Sequence, residues 1–584
     1  MRRRLLLLLL SLALHAPSFA SSNPSFAGLT GEPRPPELVR EPERPAALQQ
    51  LAPGLWLADF GRDAFGQIEL TLQSRTGGDT VFVHLGERLV NGRIWRTPTT
   101  TVRYRCIPIV LQAGRHTYRP VIAPDKRNTG PDAILMPSEI GEVLPFRYCE
   151  IEGYGRSLSR RSLTRLSVHV PFDDRAARFR CDNDTLNRIW ELCRYSVKAT
   201  SFTGYYVDGD RERIPYEADA LISQLCHYAA DCEFGTARRT LEHLLEHPTW
   251  PTEGILQSVV IAWNDYLFSG DDALLRRHYE LLKAHCLLDL REDCGLISTT
   301  TGRQTPDFLA SIRRTEPIRD IVDWPHTGGT GLQSGQGGED DGFVYSDYNA
   351  VVNAWFYKAL CCMQTIAEQL ERDEDVTTFA EAAARVREVF DTRFYDPGRG
   401  VYRDGLDTDH SALHTNVFAL LFGLVPPERQ AGVVDFIKSR GMACSVYGAQ
   451  FLLEALYEAG EADYALSLLT DTGLRSWYNM LRVGSTITLE AWDDSFKPNQ
   501  DWNHLWGAAP GNIIPFRLMG VQPLDPGWGR VRIHPQPGSL HRANLTLPTC
   551  RGPIRVHIRN GRVRVRVPKG VAYELDQISL DLRK

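Results

Sequence analysis

The spacing of apolar residues changes twice along this chain, and these changes constrain its fold most. From about residue 54 to 175, apolar and polar residues alternate in short runs such as QIELTLQS. From about 176 to 520 the spacing is helical, and beyond about 521 alternation returns. Alternation predicts strands, and a spacing of three to four residues predicts helices. The chain therefore divides into a sheet domain, a long helical domain and a second sheet domain.

The predicted fold is multidomain, with an N-terminal β-sandwich over 48–175, a central (α/α)6 toroid over 176–520 and a small C-terminal β-sandwich over 521–584. In such a toroid, inner and outer helices alternate and the site lies at one mouth. A tetratricopeptide solenoid is the alternative, but no fixed repeat period supports it. In the last domain, IRVHIRNGRVRVRV predicts a hairpin that turns at Asn560-Gly561, with valines inward and arginines outward.

The first 20 residues have the pattern of a secretory signal peptide. Three arginines precede an apolar run too short to span a membrane, and Ser18-Phe19-Ala20 offers small residues for cleavage. Residues 21–47 are rich in Pro, Glu and Ser and predict a linker. We expect a secreted or periplasmic protein with no membrane attachment after signal removal. An uncleaved anchor is the alternative.

Charge and motif content exclude several other functions. The net charge of −6 gives no overall attraction to nucleic acid, so no nucleic-acid partner is expected. His243 and His247 are one helical turn apart but have no third metal ligand nearby. The glycine-rich segment 327–342 lacks the Lys-Ser/Thr of a phosphate-binding loop and predicts a long loop near a site mouth. We therefore expect no cofactor and no catalytic metal.

Two separated segments concentrate carboxylates beside aromatic residues. The first, DGDRERIPYEAD over 208–219, places five carboxylates in twelve residues directly before a helical run. Like charges packed so closely hold one acid protonated near neutral pH, as a general acid requires. A charged surface loop is the alternative. The second segment, TITLEAWDD over 486–494, places Glu490 near Trp492 and ahead of Asn503-His504.

Carboxylates from distant segments, with aromatic rings between them, are typical of sites for glycoside hydrolysis. Aromatic rings pack on the apolar faces of sugars, while polar side chains bind hydroxyls. An oligosaccharide, polysaccharide or glycoside substrate is therefore expected. Trp263 and Trp324 lie beside polar residues in WND and DWPH and are further candidates, with core packing as the alternative role.

These motifs resemble those of the α-L-rhamnosidases of glycoside hydrolase family 78, which are six-hairpin glycosidases. DGDRERIPYEAD resembles the family's acid motif, and Glu212 takes the position of its general acid. TLE followed by NH resembles the second motif, and Glu490 takes the position of the general base. The spacing from Asp208 to Glu212 is shorter than in the family, and Leu489 stands where the family has Trp.

The resemblance, which covers roughly 180–535, also implies a set of substrate-binding residues. Two are acidic ligands of the sugar hydroxyls, two are tryptophans placed by their sequence neighbourhood, and Tyr216 stands where the family has Trp. The full set is Asp208, Arg211, Tyr216, Asp219, Trp263, Trp324 and His504.

The function implied is that of an exported, inverting exo-glycosidase that removes terminal α-L-rhamnosyl residues. Two alternatives stay open: a glycosidase of the same fold for another deoxy sugar or a uronic acid, and a non-catalytic carbohydrate-binding protein. For an inverting pair, Glu212 and Glu490 should face one pocket with carboxyls roughly 6.5–9.5 Å apart. We also expect Glu212 to be the more shielded from water of the two, and a clear reversal would exchange or void the two roles.

Overall fold

The computed structural model describes residues 37–326 and 338–576. The predicted signal peptide, residues 21–36 of the predicted linker and most of the glycine-rich segment lie outside this part of the chain. Within the described part, no helix combines the length and apolarity that a membrane crossing requires.

The N-terminal domain consists of strands β1 (Val39–Glu43), β2 (Ala47–Ala52), β3 (Leu55–Ser74), β4 (Thr80–Gly86), β5 (Leu89–Val90), β6 (Arg93–Ile94), β7 (Tyr104–Val110), β8 (Gly114–Tyr118), β9 (Leu144–Glu152) and β10 (Leu163–His169). Eight of them form one sheet in the order β1-β10-β3-β9-β4-β7, with β2 and β8 also paired to β3. Alternate apolar residues of β3, β4 and β9 share one core.

Strand β3 connects all parts of this sheet. Its first part pairs with β2 and β9, and its later part pairs with β10 and β8. The pairing with β9 shifts register between Asp59 and Ala64, where Gly61 has a φ of 84°. Such a shift bends a strand. The predicted sandwich is therefore an all-β domain in which eight strands are joined through β3 into one sheet, while β5 and β6 pair with each other.

The first strand overlaps the predicted linker. Val39–Glu43 pairs along its whole length with β10, so the Pro-rich segment has entered the sheet by residue 39. Pro42 is tolerated there because β1 is an edge strand, where a missing N–H costs little. The linker prediction thus extends too far toward the C-terminus.

The helical domain contains α1 (Asp184–Thr200), α2 (Glu217–Ala230), α3 (Gly235–Glu246), α4 (Thr252–Ser269), α5 (Ala273–Ala284), α6 (Pro306–Ser311), α7 (Ala350–Gln369), α8 (Asp373–Arg393), α9 (Leu413–Leu421), α10 (Pro427–Arg440), α11 (Gly448–Glu458), α12 (Ala462–Leu469), α13 (Trp477–Arg482) and α14 (Pro510–Ile513). Helices such as α4 and α7 are buried on most of their surface, whereas α8 and α10 bury one stripe.

Contacts between these helices follow a closed circuit. Helix α2 packs on α4, α4 on α7, α7 on α9, α9 on α11, α11 on α14, and α14 on α2. Each of these ring helices also packs on a second helix, respectively α3, α5, α8, α10, α12 and α1. Six inner helices, each with an outer partner, are what the predicted toroid requires. The N-terminal ends of the ring helices meet on one side and position the site.

The remaining strands are β11 (Arg178–Cys181), β12 (Tyr395–Asp396), β13 (Val401–Tyr402), β14 (Val521–Pro523), β15 (Arg530–Ile533), β16 (Arg542–Leu547), β17 (Ile554–Arg559), β18 (Arg562–Arg566) and β19 (Ala572–Leu575). The C-terminal domain has a four-stranded sheet, β11-β16-β17-β18, and a three-stranded sheet, β14-β15-β19. The predicted hairpin is confirmed as β17 and β18, with positive φ at Asn560 and Gly561.

Strand β11 belongs to the C-terminal domain although it precedes the first helix. It pairs antiparallel with β16, so that Phe179 lies opposite Leu545. The sequence prediction assigned this segment to the helical domain. The alternation in RFRC continues the pattern of the C-terminal hairpin, with Arg178 and Arg180 exposed and Phe179 and Cys181 buried.

Candidate active site

A cavity of about 290 Å³ opens at the N-terminal ends of the ring helices. Its wall includes the starts of α2 and α4 and the residue before α11, together with the loop that leads toward α7 and the loop before α14. The residues predicted from the sequence that line this cavity are Asp208, Arg211, Glu212, Tyr216, Asp219, Trp324, Glu490 and His504.

One wall is the acid loop, residues 208–216, which leads into α2. Gly209 has a φ of 95°, and a Cβ atom there would lie 2.6 Å from a carboxylate oxygen of Asp501. Only glycine satisfies both the backbone conformation and the close approach. The loop closes on itself because the carboxylate of Asp208 accepts the backbone N–H of Ile214 at 3.0 Å.

The opposite wall is the base loop, residues 486–504. The backbone N–H of Glu490 donates to the carbonyl of Asp501 at 3.1 Å, and the N–H of Asp501 donates to the Glu490 carboxylate at 2.8 Å. The N–H of His504 donates to the carbonyl of Thr488 at 2.9 Å. The two halves of the loop are thereby paired, which carries Glu490 and His504 into the same cavity.

Backbone N–H groups of the acid loop hold the two loops together. The N–H of Arg211 donates to the carboxylate of Asp501 at 2.9 Å, and the N–H of Asp210 donates to the side-chain oxygen of Asn503 at 2.9 Å. Asp501 and Asn503 thus fix the acid loop against the base loop. Neither was assigned a role from its chemistry in the sequence.

The guanidinium of Arg211 lies between the two predicted catalytic carboxylates. Its Nε is 3.3 Å from Glu212 Oε1, and its Nη1 is 3.2 Å from Glu490 Oε2. Because one planar guanidinium contacts both groups, their nearest oxygens are at most about 9 Å apart. Two residues 278 positions apart in the sequence therefore share one pocket.

Two cations act on Glu490. Burial by itself would raise the pKa of this carboxyl, but Arg211 and Lys497 outweigh it and hold the pKa below the ordinary value. Lys497 is itself buried, with Nζ at 3.1 Å from Glu490 Oε1. Glu490 is therefore an ionised, desolvated carboxylate at neutral pH.

The pKa values of Asp208 and Asp219 shift in the opposite direction. Burial, together with the charge of Glu212, raises the pKa of Asp208 well above its ordinary value. Burial and the charge of Glu490 do the same to Asp219. Asp208 and Asp219 are therefore held toward their neutral form by burial and by the neighbouring carboxylates.

Asp219 and His504 form a buried polar pair in the cavity wall. Asp219 Oδ1 lies 3.2 Å from His504 Nε2. Burial lowers the pKa of His504 to about 3, so the ring is neutral at physiological pH. Asp219 Oδ1 and the Nδ1 of His504 have no well-aligned hydrogen-bond partner in the described chain, nor does Oε1 of Gln257, which also lines the cavity. Such groups suit a ligand with several hydroxyls.

The N-terminal domain supports the acid loop from behind. Asn128 donates its side-chain N–H to the carbonyl of Asp210 at 2.8 Å, and Arg103 forms an ion pair with the Asp210 carboxylate. Glu87 accepts a hydrogen bond from Asn503 at 2.8 Å. The sheet domain thus contributes to the geometry of the site although none of its residues lines the cavity in the described chain.

Several residues that line the cavity were not singled out from the sequence. Beside the predicted Tyr216 and Trp324, the aromatic part of the wall comprises Trp250, Tyr447 and Trp506. A signal for Trp250 was available, because it directly precedes a proline, as Trp324 does. Arg319 lies over the Trp250 ring at 4.1 Å and so holds it in place.

The structure does not bring Trp263 to the site. It lies within α4 and packs against Tyr266 at a ring distance of 5.8 Å, and it does not line the cavity. The start of α4 does line the cavity through Glu253, and Trp263 is about 15 Å further along the helix. The sequence prediction chose the wrong tryptophan of this region; Trp250 is the one that faces the pocket.

The expected difference in burial is also reversed. The side chain of Glu212 is 37% exposed, whereas that of Glu490 is 3% exposed. Glu212 lies on the acid loop at the cavity wall, while Glu490 is enclosed by the base loop, Arg211 and Lys497. The sequence pattern did not reveal this enclosure because Lys497 and Arg211 come from different segments.

A ring of paired helices with a carboxylate-rich, aromatic-walled cavity at one end, flanked by two sheet domains, defines the class of six-hairpin glycosidase folds. Family comparison agrees for all three parts. Residues 174–517 match the bacterial alpha-L-rhamnosidase 6 hairpin glycosidase domain, residues 49–169 the concanavalin-like domain, and residues 520–577 the C-terminal domain of the same proteins. The chain belongs to the bacterial α-L-rhamnosidase family.

Two relatives named alpha-L-rhamnosidase come from Formosa agariphila. One is 19% identical over 553 residues, which are 86% of this chain and 52% of that protein. The other is 24% identical over 314 residues, or 50% of this chain and 30% of that protein. The chain thus spans about half or less of the length of these relatives.

Solved structures show the same fold. The α-L-rhamnosidase of Dictyoglumus thermophilum has a TM-score of 0.72 at 17% identity and covers 93% of this chain and 59% of its own. That of Aspergillus terreus has a TM-score of 0.73 at 19% identity, covering 92% and 62%. That of Streptomyces avermitilis, solved with L-rhamnose, has a TM-score of 0.70 at 18% identity, covering 93% and 50%.

Proposed function

We propose that the protein is an inverting exo-glycosidase that hydrolyses terminal α-L-rhamnosyl residues. The observation that carries the proposal is the contact of one guanidinium, that of Arg211, with both Glu212 and Glu490 at the wall of one cavity. Their separation of at most about 9 Å places both carboxyls within reach of one sugar and is compatible with the roughly 6.5–9.5 Å of an inverting pair; the choice of inversion follows the resemblance to the family. Membership of the family supports the choice of sugar.

In the proposed reaction, Glu490 is the general base. Its ionised state and its enclosure by two cations suit a group that accepts a proton from water. The activated water forms a new bond to the anomeric carbon as the glycosidic bond breaks on the opposite face. Glu212 gives its proton to the departing glycosidic oxygen, so that the products are the free sugar and the alcohol.

The greater exposure of Glu212 is the reverse of what we expected for the acid, so the division of roles rests on the charges around Glu490 and on the position of Glu212 at the cavity wall. The departing group lies toward the cavity mouth, and an acid that protonates it must reach that side. A bound substrate would cover Glu212 and remove it from water. Exchanging the roles is disfavoured because Lys497, which pairs with Glu490, stabilises the charged form of that carboxyl and so opposes proton donation by it.

The lining of the cavity bears on the sugar. Seven acidic side chains line it: Asp208, Glu212, Glu217, Asp219, Glu253, Asp323 and Glu490. The only basic residues among its described lining are Arg211 and Arg319, together with His504, and Arg211 is engaged by acidic groups. An anionic sugar would be repelled, which disfavours a uronic acid as the hydrolysed unit. A neutral deoxy sugar fits the mixed apolar and hydrogen-bonding wall.

Export of the protein is a prediction that rests on the signal-peptide pattern of residues 1–20.

The test is hydrolysis of para-nitrophenyl α-L-rhamnoside by the purified protein, followed by NMR of the first sugar product. We expect release of β-L-rhamnose before mutarotation, because inversion exchanges the anomeric configuration. The α-glycosides of other deoxy sugars and of uronic acids are the matched controls. First release of α-L-rhamnose would refute inversion, and turnover of a control in place of the rhamnoside would refute the sugar.

Asp219→Ala is expected to raise KM for the rhamnoside roughly ten-fold or more, with a smaller change in kcat, because a buried hydroxyl partner is lost. Asp231→Ala is the matched control. Asp231 is also buried and lies at the other end of α2, where its Oδ1 is 3.3 Å from Nε2 of His227. Steady-state kinetics on both variants measure the difference. Equal KM values in the two variants would make Asp219 a structural residue of the helix.

Lys497→Met is expected to move the acidic limb of the kcat/KM profile upward by about one pH unit. Loss of the ammonium 3.1 Å from Glu490 removes a stabiliser of the carboxylate, so the pKa of Glu490 rises. The base is then ionised only at higher pH. Lys497→Arg retains the charge and is the control. A limb that stays in place in Lys497→Met would mean that another group governs it.

A further inference from the structure

The outer face of the four-stranded C-terminal sheet is covered with arginine. Successive strands β11, β16, β17 and β18 lie side by side, and their alternate residues point away from the core. The basic residues on this face are Arg178, Arg180, Arg542, Arg555, Arg559, Arg562, Arg564, Arg566 and His557. The strands contribute no acidic residue to it.

The register places like charges directly opposite one another. Arg555 faces Arg566, Arg559 faces Arg562, and His557 faces Arg564 across β17 and β18. Arg559 also faces Arg542 on β16. Directly opposed like charges destabilise a sheet, because the side chains lie only about 5 Å apart. The arrangement therefore has an energetic cost that a solvated surface does not require.

These arginines are largely without acidic partners in the described chain. Of the eight, only Arg180 lies near a carboxylate, that of Asp184, at 3.8 Å on an exposed helix end. The chain as a whole carries a net charge of −6, so the rest of the molecule is strongly acidic. The positive charge is concentrated on one face, which would attract a polyanion to this position and orientation.

The guanidinium groups of this face define the ligand chemistry that it can bind. Arginine presents a planar fork that binds carboxylate, sulfate or phosphate oxygens in pairs. The arginines of this face are about 5 Å apart between neighbouring strands and about 7 Å apart along one strand. This regular spacing suits a ligand that carries repeated oxoanions.

One corner of the face is concave. A groove of about 450 Å³ lies between the sheet and α1 and is lined by Arg178, Arg180, Asn544 and His557. Its far wall includes Asp174 and Glu191, which are already paired with Arg194. The groove gives the flat sheet a place where a single unit of a chain-like ligand can be enclosed.

We propose that this arginine face binds an acidic polysaccharide, a sugar chain bearing carboxylate or sulfate groups. The C-terminal domain contacts Gly270, at the end of α4 opposite to the end that lines the cavity. The face would therefore hold the polymer roughly a helix length of about 25 Å or more from the cavity between Glu212 and Glu490. The choice of polysaccharide over other polyanions rests on the proposed function, since the face belongs to a chain whose helical domain has a glycosidase fold. The binding itself does not depend on turnover.

The test is electrophoretic retardation of the full chain in native gels containing polygalacturonate, dextran sulfate or neutral dextran. We expect retardation by at least one acidic polymer, reversed by salt, and none by neutral dextran. The variant Arg559→Gln/Arg562→Gln/Arg564→Gln should bind roughly ten-fold more weakly, because exposed charge contacts each give about two- to five-fold. Arg156→Gln/Arg160→Gln/Arg161→Gln, which removes the same charge from exposed positions of the N-terminal domain, should bind like the unmodified protein.

Several outcomes would overturn the proposal. These are no retardation by either acidic polymer, equal loss of binding in both triple variants, or equal or tighter binding to duplex DNA or to vesicles of anionic lipid. The last would identify a different class of partner. Hydrolysis of para-nitrophenyl α-L-rhamnoside is measured alongside and should be the same in both variants. Activity without polymer binding refutes this inference alone, and polymer binding without activity refutes the proposed function alone.

Discussion

Glu490→Gln is expected to lower kcat/KM by about 10³- to 10⁴-fold, because an amide cannot accept the proton of the attacking water. The loss should be the same for an activated aryl rhamnoside and for a rhamnosyl disaccharide, since water activation does not depend on the departing group. Steady-state kinetics on both substrates measure it. A loss confined to the disaccharide would assign Glu490 to the acid role instead.

Two further variants, Glu490→Asp and Glu253→Gln, distinguish a loss of catalysis in Glu490→Gln from a loss of folding. Glu490→Gln removes the charged partner of Lys497, and an unpaired buried charge can cost about 3–5 kcal/mol. Glu490→Asp keeps the negative charge but has a side chain one methylene shorter, which moves the carboxylate away from the attacking water. This variant should therefore still lose most activity. Glu253→Gln is the control, because burial and Asp320 raise the pKa of Glu253 to about 8 and the amide replaces a neutral acid. Thermal unfolding of each variant reports the stability.

Glu212→Gln is expected to lower kcat/KM by about 10²- to 10⁴-fold on a rhamnosyl disaccharide and by far less on a 2,4-dinitrophenyl rhamnoside. Dinitrophenolate is a stable anion and departs without being protonated, whereas the oxygen of a departing sugar must be protonated. The ratio of the two losses measures the contribution of acid catalysis. Because Glu212 is partly exposed, the variant should fold with unchanged thermal stability.

The contrast between the two variants carries the role assignment. A loss that depends on the departing group at Glu212, and one that does not at Glu490, would support the proposed acid and base. Comparable losses on both substrates at Glu212 would indicate a role in positioning Arg211 or the sugar. Activity close to that of the unmodified enzyme in either variant would remove that residue from the mechanism.

Local patterns determined much of the fold. The alternation of IRVHIRNGRVRVRV and the turn at Asn560-Gly561 specify a hairpin because strand period and turn chemistry act over a few residues. The helical period likewise marks the ring helices. The acid loop and base loop were identified for the same reason, since each keeps its chemical groups within about a dozen residues.

Only the tertiary structure decided which groups meet. Trp250 rather than Trp263 reaches the cavity because packing around α4 exposes the start of that helix to it. Arg211 and Lys497 enclose Glu490 from separate loops, which reverses the burial expected for the two carboxylates. Asn128 supports the acid loop from a different domain. The periodicity of a sequence reflects how each residue is buried relative to its near neighbours in the chain. The charges and the water around a site depend instead on segments that are far apart in the chain and that packing brings together.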